Sequence, residues 1–189
     1  MTTPQPAMDP SSSEADEVQL SHARAQGDAY RRAVQHMAQE VADDGGMQDV
    51  GGYSIAYALE EAEGMYHLAE GVLEWRNPEE ENLHVEIAVM DAADGRFVPG
   101  LDVEIDLIAP DGSVVGPVTL PMLWHPMISH YGANVTVPAD GKYDLRVRVG
   151  AAPFMRHDEI NGRRFADPVE TTFSGVSVER DSEPVDPPT

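Results

Sequence analysis

Apolar residues recur at helical spacing before residue 43 and alternate with polar ones after residue 52. Over 14–42, Val18, Leu20, Ala23, Tyr30, Val34, Met37 and Val41 occur with few breakers, which predicts a helix. Asp43-Asp44-Gly45-Gly46 predicts its end. The apolar stripe is thin, which suits a loosely docked appendage. From Gly52 the period becomes two. In 53–59 the odd positions Tyr53, Ile55, Tyr57 and Leu59 are apolar, with small residues between them. In 83–90, Leu83, Val85, Ile87 and Val89 make one face and His84, Glu86, Ala88 and Met90 the other. Further strands are predicted at 68–75, 101–107, 114–120, 133–137, 143–149 and 169–178, separated by Gly, Pro and Asp turns. Short strands at this spacing describe an antiparallel β-sandwich, so the fold class is all-β with an N-terminal α-helical extension. The expected organisation is a disordered segment at 1–13, the helical extension and a linker at 14–50, the β domain at 51–178 and a disordered acidic, Pro-rich tail at 179–189.

Charge narrows the partners. The 189 residues carry 34 acids against 12 bases, a formal charge of −22. Eleven of the bases are Arg, and Lys142 is the only Lys. Such an anion does not seek nucleic acid or an anionic membrane surface. Few Lys among many Asp and Glu is the pattern of a haloarchaeal proteome, in which salt screens self-repulsion. Most of the acids are then solvated surface. With no Cys, disulfides, thiolate sites and a lipidated N-terminal Cys are excluded, and His, Met, Asp and Glu remain as metal donors. No apolar stretch is long enough to insert in a bilayer, and Met-Thr-Thr-Pro-Gln-Pro shows no basic-then-apolar secretory signal.

The densest chemistry lies at 120–134, where His125, His130, Met122, Met127, Trp124 and Tyr131 fall within fifteen residues. Thioethers beside imidazoles suit a soft or borderline metal, copper above all. The competing reading is a core-filling loop with structural histidines. His84 and Glu86, two apart on a predicted strand, project from one face and can chelate one ion; alone they read equally as two solvent-facing polar residues. His157 sits in a polar loop, with Asp158 placed to orient its imidazole or simply to be exposed beside it. Tyr66 and His67, after an acidic run, make a weaker, oxygen-rich candidate.

Four features taken together, His84-Val85-Glu86, Pro121-Met122, His130-Tyr131-Gly132-Ala133-Asn134 and Arg156-His157-Asp158-Glu159 with Gly162, resemble those of a known family. It is the family of periplasmic copper-binding proteins associated with iron transport, the Tpd-type antigens and their relatives, here in a haloarchaeal-type branch. The resemblance implies an immunoglobulin-like β-sandwich, a homodimer, an extracytoplasmic location and an iron-permease membrane partner. It implies a metal site of His84, Glu86, Met122, His130 and His157, holding copper, with iron or manganese as further possibilities. Met127 is a secondary candidate because the spacing from Met122 to His130 is about one residue longer than the family's; His125, extra to the family pattern, His67 beside the acidic run and Asp158 beside His157 are the others. No catalytic group is indicated, so a non-enzymatic metal-binding protein is expected. The alternatives are a copper-dependent metal oxidase or reductase and a structural immunoglobulin-like interaction module without metal.

Overall fold

The computed structural model describes residues 8, 9 and 11–180. Helix α1 spans Glu17–His36 and runs into a single π-helical turn, Met37–Val41. The strands follow as β1 Asp44–Val50, β2 Tyr53–Glu60, β3 Met65–Ala69, β4 Val72–Arg76, β5 Leu83–Asp91, β6 Val103–Ile108, β7 Val114–Leu120, β8 Met122–Trp124, β9 Ser129–Val135, β10 Gly141–Val149 and β11 Val169–Val178. One sheet has the order β1-β2-β5-β9-β8, a second the order β11-β10-β6-β7, and β3-β4 form a separate hairpin. All pairs are antiparallel.

Alternation builds the sandwich. The odd residues of β2 and β5 meet Val103, Ile105, Leu107, Leu145 and Val147 of the facing sheet in one continuous core. Tyr131 crosses that core, its hydroxyl donating to Val98 O at 2.8 Å and accepting from Leu101 N at 3.0 Å. On the second sheet, buried Asp106 is held by Arg146 and Arg148, at 2.6 and 2.5 Å.

Three segments depart from the expected elements. Residues 44–50, expected as linker, form β1, because Gly45 and Gly46 allow the strand to pass beneath the π-helical turn. A Cβ on Gly45 would stand 2.2 Å from Ala38 O. The single strand expected at 68–75 is a hairpin that turns at Glu70 and Gly71, with φ of 49° and 84°. The stretch at 120–134, whose prolines and glycine suit an irregular loop, contains β8 and all but the last residue of β9, joined by a tight turn with His125 N bonded to Ile128 O at 3.1 Å. The expected disordered ends at 1–13 and 179–189 lie outside the described residues, except for 8, 9, 11–13, 179 and 180. Of these, Asp9 N donates to Asn161 Oδ1 at 2.8 Å and Ser12 Oγ to Asp158 Oδ2 at 2.7 Å.

The helix is not loosely docked. Asp16 caps it through a reciprocal pair with Gln19, both bonds at 2.8 Å. Its thin stripe suffices because three of the residues beneath it are alanines: Val34 and Met37 pack with Ala56, Ala58, Ala88, Met90 and Ile128. Tyr30 Oη also donates to Ser129 O at 2.5 Å. Close approach is set by Gly27, where an added Cβ would lie 1.7 Å from Asp94 O. Gly→Ala in a helix normally stabilises by about 0.5–1 kcal/mol. Here the sign reverses. Gly27→Ala lowers stability by about 1–3 kcal/mol, as overpacking against backbone does, and urea denaturation of the variant beside wild type measures it.

Candidate metal centre

Strand β5 is buried along its whole length, on both faces. Beneath α1 its outer face carries Ala88 and Met90; farther toward its start it carries Glu86 and His84. There the helical cover gives way to a cavity of about 560 Å³, walled by Met37 and Val41 of the π-helical turn, by Glu60 and Glu63, and by residues of β8 and β9. No lysine or arginine among the described residues lines it.

The register assembles the floor. Residues paired directly across strands share a face. Glu60, His84 and Asn134 form one row, and Ala58, Glu86 and Gly132 the next. His130, two residues before Gly132, lies on the same face and pairs with Leu123. The ligand atoms of His84, Glu86 and His130 therefore lie within 4.8 Å of one another. His130 Nε2 stands 3.1 Å from Glu86 Oε1, and His84 Nε2 3.8 Å from the same oxygen. The two rings are nearly perpendicular, at 79°, with centroids 6.3 Å apart.

Burial sets the charge states. Glu86 is pushed up to about 8, first by desolvation and then by the nearby Glu60 and Glu63 carboxylates. His130 is pushed down to about 4 by desolvation, helped by His84 and His125. Desolvation also lowers His84, against the hydrogen bond to Asn134 that raises it. Both shifts disfavour the charged forms, so burial weakens the His130–Glu86 contact as an ion pair. Glu86 Oε2 and both ring nitrogens of His130 are buried without a hydrogen-bond partner. Buried polar atoms are seldom left so.

Asn134 decides which nitrogen of His84 faces the floor. Its Nδ2 donates to Glu63 O at 2.7 Å and its Oδ1 accepts from Glu63 N at 3.2 Å, which fixes the amide orientation. Oδ1 then faces His84 Nδ1 at 2.8 Å and must accept from it. The ring carries its proton on Nδ1 and presents the Nε2 lone pair to Glu86. Gly132 keeps the space open: a Cβ there would stand 3.2 Å from His84 Nε2 and 3.0 Å from Leu123 Cδ1. Two imidazole lone pairs, a carboxyl and a cleared space fit a metal ion, with donor atoms that small side-chain movements close to coordination distance.

Of the residues singled out from sequence, the structure brings together His84, Glu86 and His130. Met122, Met127 and His125 also line the cavity, at its mouth. The register pairs Met122 with Tyr131 and not with His130, so Met122 leaves the floor to Leu123 and is 55% exposed at the sheet edge. His157 is not brought in. It is exposed on the 150–168 loop and does not line this cavity. Nor does Asp158 orient it; Asp158 instead accepts from Asn161 and Ile160 of its own loop and from Ser12 of the N-terminal segment, and those bonds hold its carboxyl down to about 2. His67 is exposed on β3, paired with Glu74 outside the cavity. In the sequence, Gly132 and Asn134 stand out only as members of the His130–Asn134 motif. Their placement opposite Glu86 and His84 follows once the pairing of β5 with β9 is known.

The model of the Fe2+ transport protein family matches residues 37–176. Among solved structures, "as isolated" FetP of uropathogenic Escherichia coli has a TM-score of 0.57 at 16% identity, over 71% of this chain and 95% of FetP. A copper-bound FetP variant has a TM-score of 0.58 at 18% identity, over 70% and 94% of the two chains. Copper-reconstituted P19 of Campylobacter jejuni has a TM-score of 0.55 at 18% identity, over 71% and 95%. At these identities the likeness is one of fold, and it extends over nearly all of each relative. No curated protein matches the chain.

The tautomer is directly measurable. Long-range 15N–1H correlation of the metal-free protein is expected to show His84 protonated at Nδ1 alone. Asn134→Leu is expected to abolish that preference while the other imidazoles keep their patterns.

Proposed function

This chain belongs to the Fe2+ transport protein family, and on that premise we propose that it is a non-enzymatic copper-binding protein of an iron-uptake system. The observation that carries this reading is the buried His84–Glu86–His130 triad, whose orphaned polar atoms surround the space that Gly132 leaves open. The copper-bound FetP and P19 structures of the same fold support copper as the ion. His84 and His130 would hold it through neutral nitrogens and Glu86 through an oxygen that gives up its proton on binding. Two imidazoles serve copper in either redox state, and a carboxylate favours Cu(II) or iron. Met122 would supply a thioether from the mouth. The bound ion supplies a positive centre for passing metal onward, with no substrate turned over.

A location outside the cytoplasm and a permease partner belong to the same reading, since the FetP structure is of protein expressed in the periplasm. No helix among the described residues is long and apolar enough to cross a membrane. His157, exposed and outside the cavity, joins such a site only from a second copy, which is the arrangement a homodimer provides.

Isothermal titration with Cu(II) is expected to show one tight equivalent per chain, abolished by His84→Ala or His130→Ala. Glu86→Gln, Gly132→Ala and Asn134→Leu weaken it, the last by about 10- to 100-fold, as loss of a ligand-orienting hydrogen bond does. His157→Ala weakens binding only where sedimentation shows a dimer. Absence of Cu(II) binding by the folded wild type would falsify the proposal.

A further inference from the structure

A second hollow, of about 420 Å³, opens between α1, the 91–99 segment and the 150–168 loop. It shares no lining residue with the cavity over His84, Glu86 and His130. Three of the chain's four phenylalanines, Phe97, Phe154 and Phe165, line it together with Tyr30 of the helix. These four rings are half-buried, whereas the remaining phenylalanine, Phe173, lies in the core. Packing braces the rings. Phe97 leans on Tyr30 and Tyr131, with centroids 5.5 and 5.6 Å away, and Phe165 stacks on buried Tyr53 at 4.8 Å. The Arg156 guanidinium lies 5.1 Å from the Phe154 centroid and donates to the carbonyls of Ala152, Phe154, Arg164 and Phe165, which ties the loop together. The hollow is therefore formed before any ligand arrives, as ligand pockets usually are.

Its charge runs against that of the whole molecule. In a chain of −22, Arg96, Arg156 and Arg164 gather around these rings. Asp91 pairs with Arg164 and Asp94 with Arg96, while Arg156 has no carboxylate partner among the described residues. Arg96, on the wall itself, is only partly engaged. Asp94 Oδ2 accepts from its Nε at 2.9 Å and its Nη2 at 2.8 Å. That pair fixes the fork and leaves Nη1 without a partner among the described residues. We propose that this hollow binds a small aromatic carboxylate, its ring among Tyr30, Phe97, Phe154 and Phe165 and its carboxylate on Arg96 Nη1. Offset and edge-on contacts with four rings favour a flat aromatic body over an aliphatic one of equal size. A guanidinium held in place by a carboxylate is a directed donor for an anion. A cation would face Arg96 and Arg156, and Asp91, the one acid on the wall, is already held by Arg164 and by Ala93 N at 2.8 Å.

The probe is 2-naphthoate, titrated into the metal-free full chain and followed by 15N–1H correlation of the backbone amides. Shifts are expected at Arg96, Phe97, Phe154 and Phe165, and not at His84, Glu86 or His130. Two analogues separate the parts of the probe in wild type, before any variant is made. Naphthalene-2-carboxamide, which lacks the charge, is expected to bind about tenfold more weakly, as loss of a charge-assisted hydrogen bond does. Decalin-2-carboxylate, which lacks the aromatic rings, is expected to bind about fivefold more weakly. Arg96→Gln is expected to weaken 2-naphthoate by about tenfold and to leave the carboxamide unchanged. Equal affinities for the three compounds, or shifts centred on the His84 cavity, overturn the site. So does the absence of any shift at millimolar probe, including the case in which a second copy of the chain fills the hollow. Copper plays no part in this titration, so the metal reading and the aromatic site can fail separately.

Discussion

Burying two imidazoles and a carboxyl beside one another, with Glu86 Oε2 and both ring nitrogens of His130 left without hydrogen-bond partners, is the constraint around which this molecule is arranged. Each orphaned polar atom costs about 1–3 kcal/mol relative to solvent. Desolvation limits the damage by neutralising all three groups, raising Glu86 and lowering His84 and His130. Neutrality removes the Born penalty, but it does not supply partners. Nothing in the apolar packing of β5 demands polar residues at 84 and 86, since the same face carries alanine and methionine two residues on. A fold under selection for stability alone would fill those positions with aliphatic side chains. The surrounding structure instead maintains the arrangement: Asn134 holds one ring, Gly132 leaves the space and Leu123 covers the far side.

The elements most legible in the sequence were those in which one face differs chemically from the other. Strand β5 could be read at once, because its alternation separates Leu83, Val85 and Ile87 from His84 and Glu86. Periodicity gave the face, but not what covers it. Alternation alone reads His84 and Glu86 as a solvent-facing pair, but the cavity over them is walled by the π-helical turn, the 63–66 segment with Trp75, and the turn between β8 and β9. The segments that were missed carry weak or conflicting local signals. Strand β1 contains two glycines and two acids and is a strand only because β2 offers a free edge. The β3–β4 hairpin hides its turn in Glu70, a non-glycine at positive φ. Strand β8 is three residues long, flanked by prolines, and exists by virtue of pairing with β9.

The candidate metal donors divide along the same line. Residues on paired strands, His84, Glu86 and His130, are brought together by register, and strand alternation implied their common face. Residues in loops are not constrained in that way. His157 carries a family-like motif, yet within one chain its loop turns toward the N-terminal segment through Asp158 and Asn161. Met122 carries the matching proline, yet edge-strand alternation turns it away from His130. Motif spacing along a chain cannot distinguish floor from mouth; only the pairing partner does.

The helix connects site and stability. Its docking depends on Gly27 at one end and on the π-helical turn at the other, and that turn is a wall of the cavity over His84, Glu86 and His130. A π-helical turn inserts an extra residue into the helical ladder, and such turns are frequent at functional sites. Here it lets Met37 stay buried against the sheet while Val41 reaches the cavity. An ion that satisfies the orphaned atoms binds the native state and not the unfolded chain, so it stabilises the fold by mass action. That stabilisation acts on β5 and β9, the strands beneath the helix, and on the wall the helix contributes. An ion bound at the proposed site and the docked helix would therefore share one wall, the π-helical turn.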